Sequence, residues 1–378
     1  MRAVSAALSA KISPATAPAP IRVMIVDDST VVRGLIVQWL QSEKWFEIAA
    51  SLRSGREAVD QLAAANPDVV VLDIEMPDLD GIATLPLLLN IKPNLAVIVA
   101  SAVTRRDAEM TMKALALGAL DCIPKPDTTL GVTLGDFRRD LLGKIRELGS
   151  RAKAARPVLR TAPPVLLPAR PASALALRAF PRVPPRVVLI GSSTGGPHAL
   201  SSLLPGLAGV SELAPILITQ HMPATFSTIL AEHLARCSAR PVREAEDGET
   251  VLAGRVYVAP GGRHMRVTRG SNGNALIALD EGPPVHFCRP AVDPLFSSAA
   301  AVWGGWVLGI ILTGMGSDGT RGAADIVAAG GGIIAQDEAT SVVWGMPGSA
   351  VQAKLCSAVL PLDDIAAKVS SLFSGARA

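Results

Sequence analysis

Between Ile21 and about Gly149 the chain alternates, five times over, a short run of apolar β-formers with a stretch of helical periodicity. The runs are IRVMIV (21–26), EIAAS (47–51), DVVVLD (68–73), LAVIVA (95–100) and LDCI (120–123). Helices are expected near 30–41, 55–65, 81–90, 105–117 and 134–148. Such strands, alternating with helices, belong to a parallel sheet covered on both faces. In an open sheet of this kind, ligands bind beyond the carboxyl ends of the strands, where the strand order reverses.

Residues 150–185 then lose all periodicity. Residues 151–186 hold eight Arg or Lys, eight Pro and no acidic residue. This composition reads as a semi-rigid linker, either a plain spacer or a basic docking segment for an acidic partner. The chain's formal net charge of +3, less the linker's +8, leaves −5 for the rest. That is not the even basic surface of a nucleic-acid binder. A length of 378 residues favours two cores over one.

The second half restarts with strands at 186–191 and 215–220, each followed by a helical pattern. A strand near 306–312, a helix from about 319 and a strand near 332–336 come later. Between them RHMRVTR–GSNG–NALIALD reads as an antiparallel hairpin turning at Asn272-Gly273. The expected fold class is α/β: a flavodoxin-like (βα)5 domain at 21–149, then a doubly wound, mostly parallel domain at 186–375 carrying a hairpin insertion.

Cys122, Cys237, Cys288 and Cys356 lie far apart, which suggests neither a zinc site nor a disulfide framework and favours a reducing compartment. Residues 1–20 resemble a signal peptide, but their apolar part is short and weakly hydrophobic, so they read as a disordered tail. The longest apolar run, near 299–312, is broken by glycines. It falls short of the ~20 residues a spanning helix needs. A cytoplasmic protein without membrane insertion is expected.

The chemistry of the first half gathers at its strand ends. IVDDS sets Asp27 and Asp28 after the first strand, and VLDIEMPDLDG sets Asp73 after the third. Three converging carboxylates repel one another unless a hard divalent cation such as Mg²⁺ neutralises them. Ser101 ends the fourth strand, and Lys125, in IPKP, follows the fifth. A lysine there can meet a phosphoryl oxygen as a point charge, and a serine hydroxyl can donate to another. Singly, each has a bland reading as a solvated strand end or a turn.

Together these residues resemble the receiver domain of two-component response regulators over roughly 21–145. By that resemblance Asp73 is the phospho-acceptor, Asp27 and Asp28 are metal ligands alongside it, and Ser101 and Lys125 respond to the phosphoryl group. One residue departs from the pattern: receivers usually carry an aromatic three positions before the lysine, and here Cys122 stands there.

In the second half, RVVLIGSSTGGPHAL breaks from a strand into a glycine-rich loop and resumes as a helix. The loop could cradle a phosphate, form a plain turn, or present a serine as G-x-S-x-G, with Ser193 central. It lacks the ending of a P-loop and the spacing of a dinucleotide site. A serine becomes nucleophilic only when a base takes its proton and a third group orients that base. Of five histidines, His221 in TQHMP follows a strand and so shares the edge with Ser193, unlike His198, His233, His264 and His286. Asp318, in ILTGMGSDG, lies after another apolar strand; Asp293, Asp247 and Asp337 have weaker claims. The glycines around Met315 leave its amide free to approach an oxyanion. The chain order Ser–His–Asp differs from the familiar hydrolase orders, but geometry defines a triad.

The motifs IGSSTGG, TQHMP, EDGETVLAGRVYVAPGGRHM, HFCRPAVD, ILTGMGSDG and QDEATSVVWGMPGSA resemble the CheB family of chemotaxis methylesterases across nearly the whole chain. The resemblance implies Ser193 as nucleophile, His221 as general base and Asp318 as its partner, with Ser192 set aside. It implies hydrolysis of glutamate γ-methyl esters on methylated chemoreceptors and deamidation of receptor glutamines. It further implies phosphorylation by a chemotaxis histidine kinase, Mg²⁺ for that step, and no cofactor for the esterase chemistry. An unphosphorylated receiver would cover the active site. The rival expectation is a non-enzymatic response regulator whose second domain binds a ligand or a protein.

Overall fold

The computed structural model describes residues 19–102, 104–126, 133–154 and 176–375. Most of the expected tail at 1–20 and the middle of the expected linker at 150–185 lie outside the described residues.

The first half runs β1 (Ile21–Val26), α1 (Thr30–Gln41), β2 (Phe46–Leu52), α2 (Gly55–Ala65), β3 (Val69–Asp73), α3 (Gly81–Ile91), β4 (Ala96–Ser101), α4 (Arg105–Ala116), β5 (Asp121–Pro124) and α5 (Leu134–Ala154). Its strands pair in parallel in the order β2-β1-β3-β4-β5. The order reverses between β1 and β3, so the ends carrying Asp27 and Asp73 meet at the switch point. Ser29, Ser54, Asp80 and Thr104 each cap the following helix, accepting from a first-turn amide. α5 differs from expectation. It continues to Ala154, past the expected boundary at Gly149, because Arg, Ala and Lys are strong helix formers.

The second half runs β6 (Val187–Ser192), α6 (Gly196–Leu203), α7 (Ala208–Leu213), β7 (Ile216–Gln220), α8 (Ala224–Ser238), β8 (Val242–Glu244) and β9 (Val256–Val258). The hairpin β10 (His264–Arg269) and β11 (Ala275–Asp280) follows, then α9 (Val292–Trp303), β12 (Val307–Ile311) and α10 (Thr320–Ala328). β13 (Gly332–Gln336), α11 (Met346–Gln352), β14 (Ala358–Leu360) and α12 (Leu362–Phe373) complete it. Seven parallel strands pair as β14-β13-β12-β6-β7-β9-β8, and β10 and β11 form a separate antiparallel pair. The hairpin turn places Gly273 at φ 82° and donates Gly270 N to Asn274 O at 2.7 Å. β6, β7 and β12 are buried along their whole length. These adjacent strands deliver Ser193, His221 and the loop of Asp318 to one edge.

Candidate functional site

Asp27, Asp28 and Asp73 offer carboxylate oxygens within 4.8 Å of one another. Asp27 and Asp73 are buried, and Lys125 Nζ bridges them, 2.9 Å from Asp27 Oδ2 and 2.8 Å from Asp73 Oδ2. Burial pushes the Asp73 carboxyl up to about 6 against the pull of Lys125. Burial also works to lower the Lys125 ammonium, and the two carboxylates outweigh it. Buried carboxylates with one lysine between them fit a hard divalent cation. The Ser101 hydroxyl instead donates to the carbonyls of Ala102, at 3.2 Å, and Asp107, at 3.4 Å. Cys122 is buried; burial, then Asp121, pushes its thiol up to about 12. Its carbonyl accepts from Lys144 Nζ at 2.8 Å, and Lys144 also pairs with Asp121 at 2.7 Å, tying β5 to α5.

At the second edge, Ser193 follows β6 and donates its amide to Thr313 O at 3.0 Å. Close approach there requires glycine: a Cβ on Gly314 would lie 2.8 Å from Ser193 Cβ, and one on Gly196 1.9 Å from Gln220 Oε1. Ser192 is fully buried and donates to Gln220 Oε1 at 2.7 Å, which leaves Ser193 as the accessible hydroxyl. The Gln220 amide donates to Ser193 O at 3.0 Å and His221 O at 3.1 Å. One side chain thus fixes the backbone of both. Nothing in TQHMP marks that contact, because it forms across two strands.

His221 Nε2 lies 2.7 Å from Asp318 Oδ2. Asp318 is buried and accepts three further bonds, from Val292 N at 2.6 Å, Asp293 N at 3.0 Å and Gly319 N at 2.9 Å. Two of those amides open α9, whose own N-cap, Ala291, has no side chain to offer. A carboxylate at a helix N-terminus is favoured by amides and dipole alike. Burial works to raise the Asp318 carboxyl, yet His221 and these amides hold it below the usual range. Burial likewise works to lower the His221 ring, but the Cys288 sulfur and Asp318 push it up, to about 10. Among the described residues Ser193 Oγ makes no hydrogen bond to His221, so the His–Asp half of the site is closed and the Ser–His half is not. Cys288, beside His221, was beyond the reach of sequence reasoning, since its loop is remote in the chain.

The remaining candidates go elsewhere. His198 is exposed on α6, and His233 faces Cys237 at 3.4 Å on α8. His264 is buried between Pro283 O at 3.0 Å and Ala291 N at 3.2 Å. His286 lies 3.6 Å from Asp293, which accepts from Gly322 N at 2.8 Å. Asp247 accepts from Leu279 N at 2.8 Å, and Asp337 accepts from the nearby Thr340 N at 3.0 Å.

The two halves touch at this edge. Met315 and Val342 pack with buried Val343 in the apolar cluster that includes Phe137 and Leu141 of α5. A Cβ at Gly143 of α5 would lie 3.4 Å from Met315 Cε. The Met315 amide makes no hydrogen bond among the described residues, whereas Gly314 N donates to Val343 O at 3.0 Å. Arg139 of α5 stacks over the Phe287 ring at 5.0 Å. Arg105 of α4 pairs with Glu232 of α8 at 2.8 Å.

Residues 188–369 match the family described as CheB methylesterase, and residues 23–130 match the response regulator receiver domain. The chain is 58% identical to the protein-glutamate methylesterase/protein-glutamine glutaminase of group 2 operon of Bradyrhizobium diazoefficiens, with 95% of each covered. It is 58% identical, again over 95% of each, to the protein-glutamate methylesterase/protein-glutamine glutaminase of Rhodopseudomonas palustris strain BisB5. Among solved structures, the Thermotoga maritima CheB methylesterase catalytic domain is 42% identical, covering 50% of this chain and 100% of that one, with a TM-score of 0.48.

Proposed function

The chain belongs to the CheB methylesterase family, and from that premise we propose how its residues carry out the reaction. It is a protein-glutamate methylesterase and protein-glutamine glutaminase under the control of a receiver domain. Ser193 attacks the γ-carbonyl of a glutamyl methyl ester on a chemoreceptor and passes its proton to His221. Asp318 holds the ring's orientation and balances its charge. The Met315 amide donates to the oxyanion, a contact typically worth on the order of 10²–10³ in turnover. His221 returns the proton to methanol as it leaves. Water then hydrolyses the acyl-enzyme and restores a carboxylate. With a glutaminyl side chain the leaving group is ammonia and the steps are the same.

The single observation that carries this reading is the 2.7 Å His221–Asp318 bond, with Asp318 ionised at the start of α9 and Ser193 on the adjoining strand end.

Asp73 accepts a phosphoryl group from a chemotaxis histidine kinase, and Ser101 and Lys125 turn to its oxygens. Asp27, Asp28 and Asp73 would hold Mg²⁺, which when bound neutralises the carboxylates and the incoming phosphoryl charge. Phosphorylation frees the catalytic edge from α5. We place the receiver domain at 21–149, with α5 continuing to Ala154 as its last helix, and the catalytic domain at 186–375. No helix among the described residues is long and apolar enough to cross a membrane; we place the protein in the cytoplasm. No observation favours a purely binding second domain.

Ser193→Ala should abolish methanol release from methylated receptor membranes while Asp73 still takes up phosphate. Methanol release at the wild-type rate would remove Ser193 from the mechanism.

A further inference from the structure

Val285 and Cys288 exchange backbone hydrogen bonds, Val285 N to Cys288 O at 3.1 Å and Cys288 N to Val285 O at 2.9 Å. His286 and Phe287 are therefore the central residues of a two-residue hairpin turn, and both have positive φ, 50° and 63°. Asn-Gly and Asp-Gly make such turns readily; a bulky side chain in the left-handed region is crowded by its own backbone. Nor does packing call for an aromatic here. Phe287 is 76% exposed, the most of any large hydrophobic side chain described. The chain thus keeps a ring in water on a backbone that disfavours it. Outliers of this kind persist where a function holds them.

The turn's position says which function. The side-chain ligand atoms of His286, Asp293 and Asp318 lie within 4.8 Å of one another, and the next residue, Cys288, acts on His221. Phe287 therefore stands at the rim of the triad. What touches it is a helix: Arg139 covers the ring, and one turn further along α5, Gly143 meets Met315 of the oxyanion loop. A single helix reaches both the exposed ring and the oxyanion loop.

We propose that Phe287 is a substrate-recognition residue. Once α5 withdraws, the ring packs on the receptor helix that bears the glutamyl ester, through aliphatic or cationic side chains of that helix. The receiver and the substrate would then compete for one aromatic, Arg139 holding it in the docked form. This inference rests on reading the chain as a glutamyl methylesterase.

The test is steady-state methanol release from methylated receptor membranes under saturating small-molecule phosphodonor, with melting temperatures recorded in parallel. Phe287→Ala should raise KM about tenfold while kcat changes by less than about threefold. Phe287→Tyr should stay near wild type. The double change His286→Asn/Phe287→Gly supplies the residues such a turn prefers, so it should melt no lower than wild type and still show the raised KM. The proposal is overturned if KM for Phe287→Ala stays within about twofold of wild type. It is equally overturned if the variants lose kcat and melting temperature together, which would mark the ring as a structural prop. Failure of the wild type itself to release methanol would overturn the esterase reading, and this proposal with it.

Discussion

Asp318 is held by its surroundings as much as by its histidine. Three backbone amides, two from the first turn of α9, keep the carboxylate ionised inside the protein, where an unpaired charge would cost several kcal/mol. That fixed charge, with the Cys288 sulfur, raises the His221 imidazole above its ordinary 6.5 to about 10. A group raised on folding stabilises the folded state fully below its unfolded value and loses that contribution as pH climbs through its folded value. The melting temperature of wild type should therefore exceed that of His221→Gln most below about pH 6.5, and the gap should close as pH rises through about 10. Thermal melts across that range check it; a gap independent of pH would mean that the ring is neutral throughout.

At the scale of elements, α5 meets the loop of Met315 at a glycine. Gly143 faces Met315 at a distance that leaves room for a methyl group, and a larger side chain would have to push the methionine's end aside. Gly143→Ala should leave unphosphorylated activity as it is, whereas Gly143→Leu should raise methanol release without phosphodonor several-fold by lifting α5 from the loop of Met315. Equal basal rates in both would show that α5 does not bear on Met315. The longer strands of both sheets are legible in sequence to within a residue or so, because burial on both faces writes most of them as apolar runs. β8, β9 and β14, three residues each, are too short to leave a pattern. Strand ends also make Ser193, His221 and Asp318 legible as neighbours, since adjacent parallel strands deliver their ends to one edge. Gln220, Cys288 and the capping of α9 by Asp318 are not legible, because each joins segments far apart in the chain. Ala291 carries no capping signal of its own, and only the folded loop supplies the distant carboxylate.

At the scale of the molecule, the two halves are latched without being fused. The Arg105–Glu232 pair is solvent-exposed and screened by water and salt, so it holds the halves only weakly. The Arg139–Phe287 contact is similarly weak. Apolar packing supplies more of the seam: Met315, Val342 and Val343 lie against the receiver's core, and α4 packs on α8. Converting a population that is 1:99 undocked to 99:1 takes about 5.5 kcal/mol. On the proposed reading, a doubly charged phosphoryl group on Asp73, beside Asp27 and Lys125, would bias the seam through new charge-assisted bonds. The account therefore makes access to one hydroxyl depend on phosphorylation some distance away. The most direct test is covalent labelling by a serine-directed phosphonate, mapped by peptide mass spectrometry with and without phosphodonor. The account predicts a single adduct on Ser193 that forms faster when Asp73 is phosphorylated. An adduct on Ser192, or none on either serine, would contradict it.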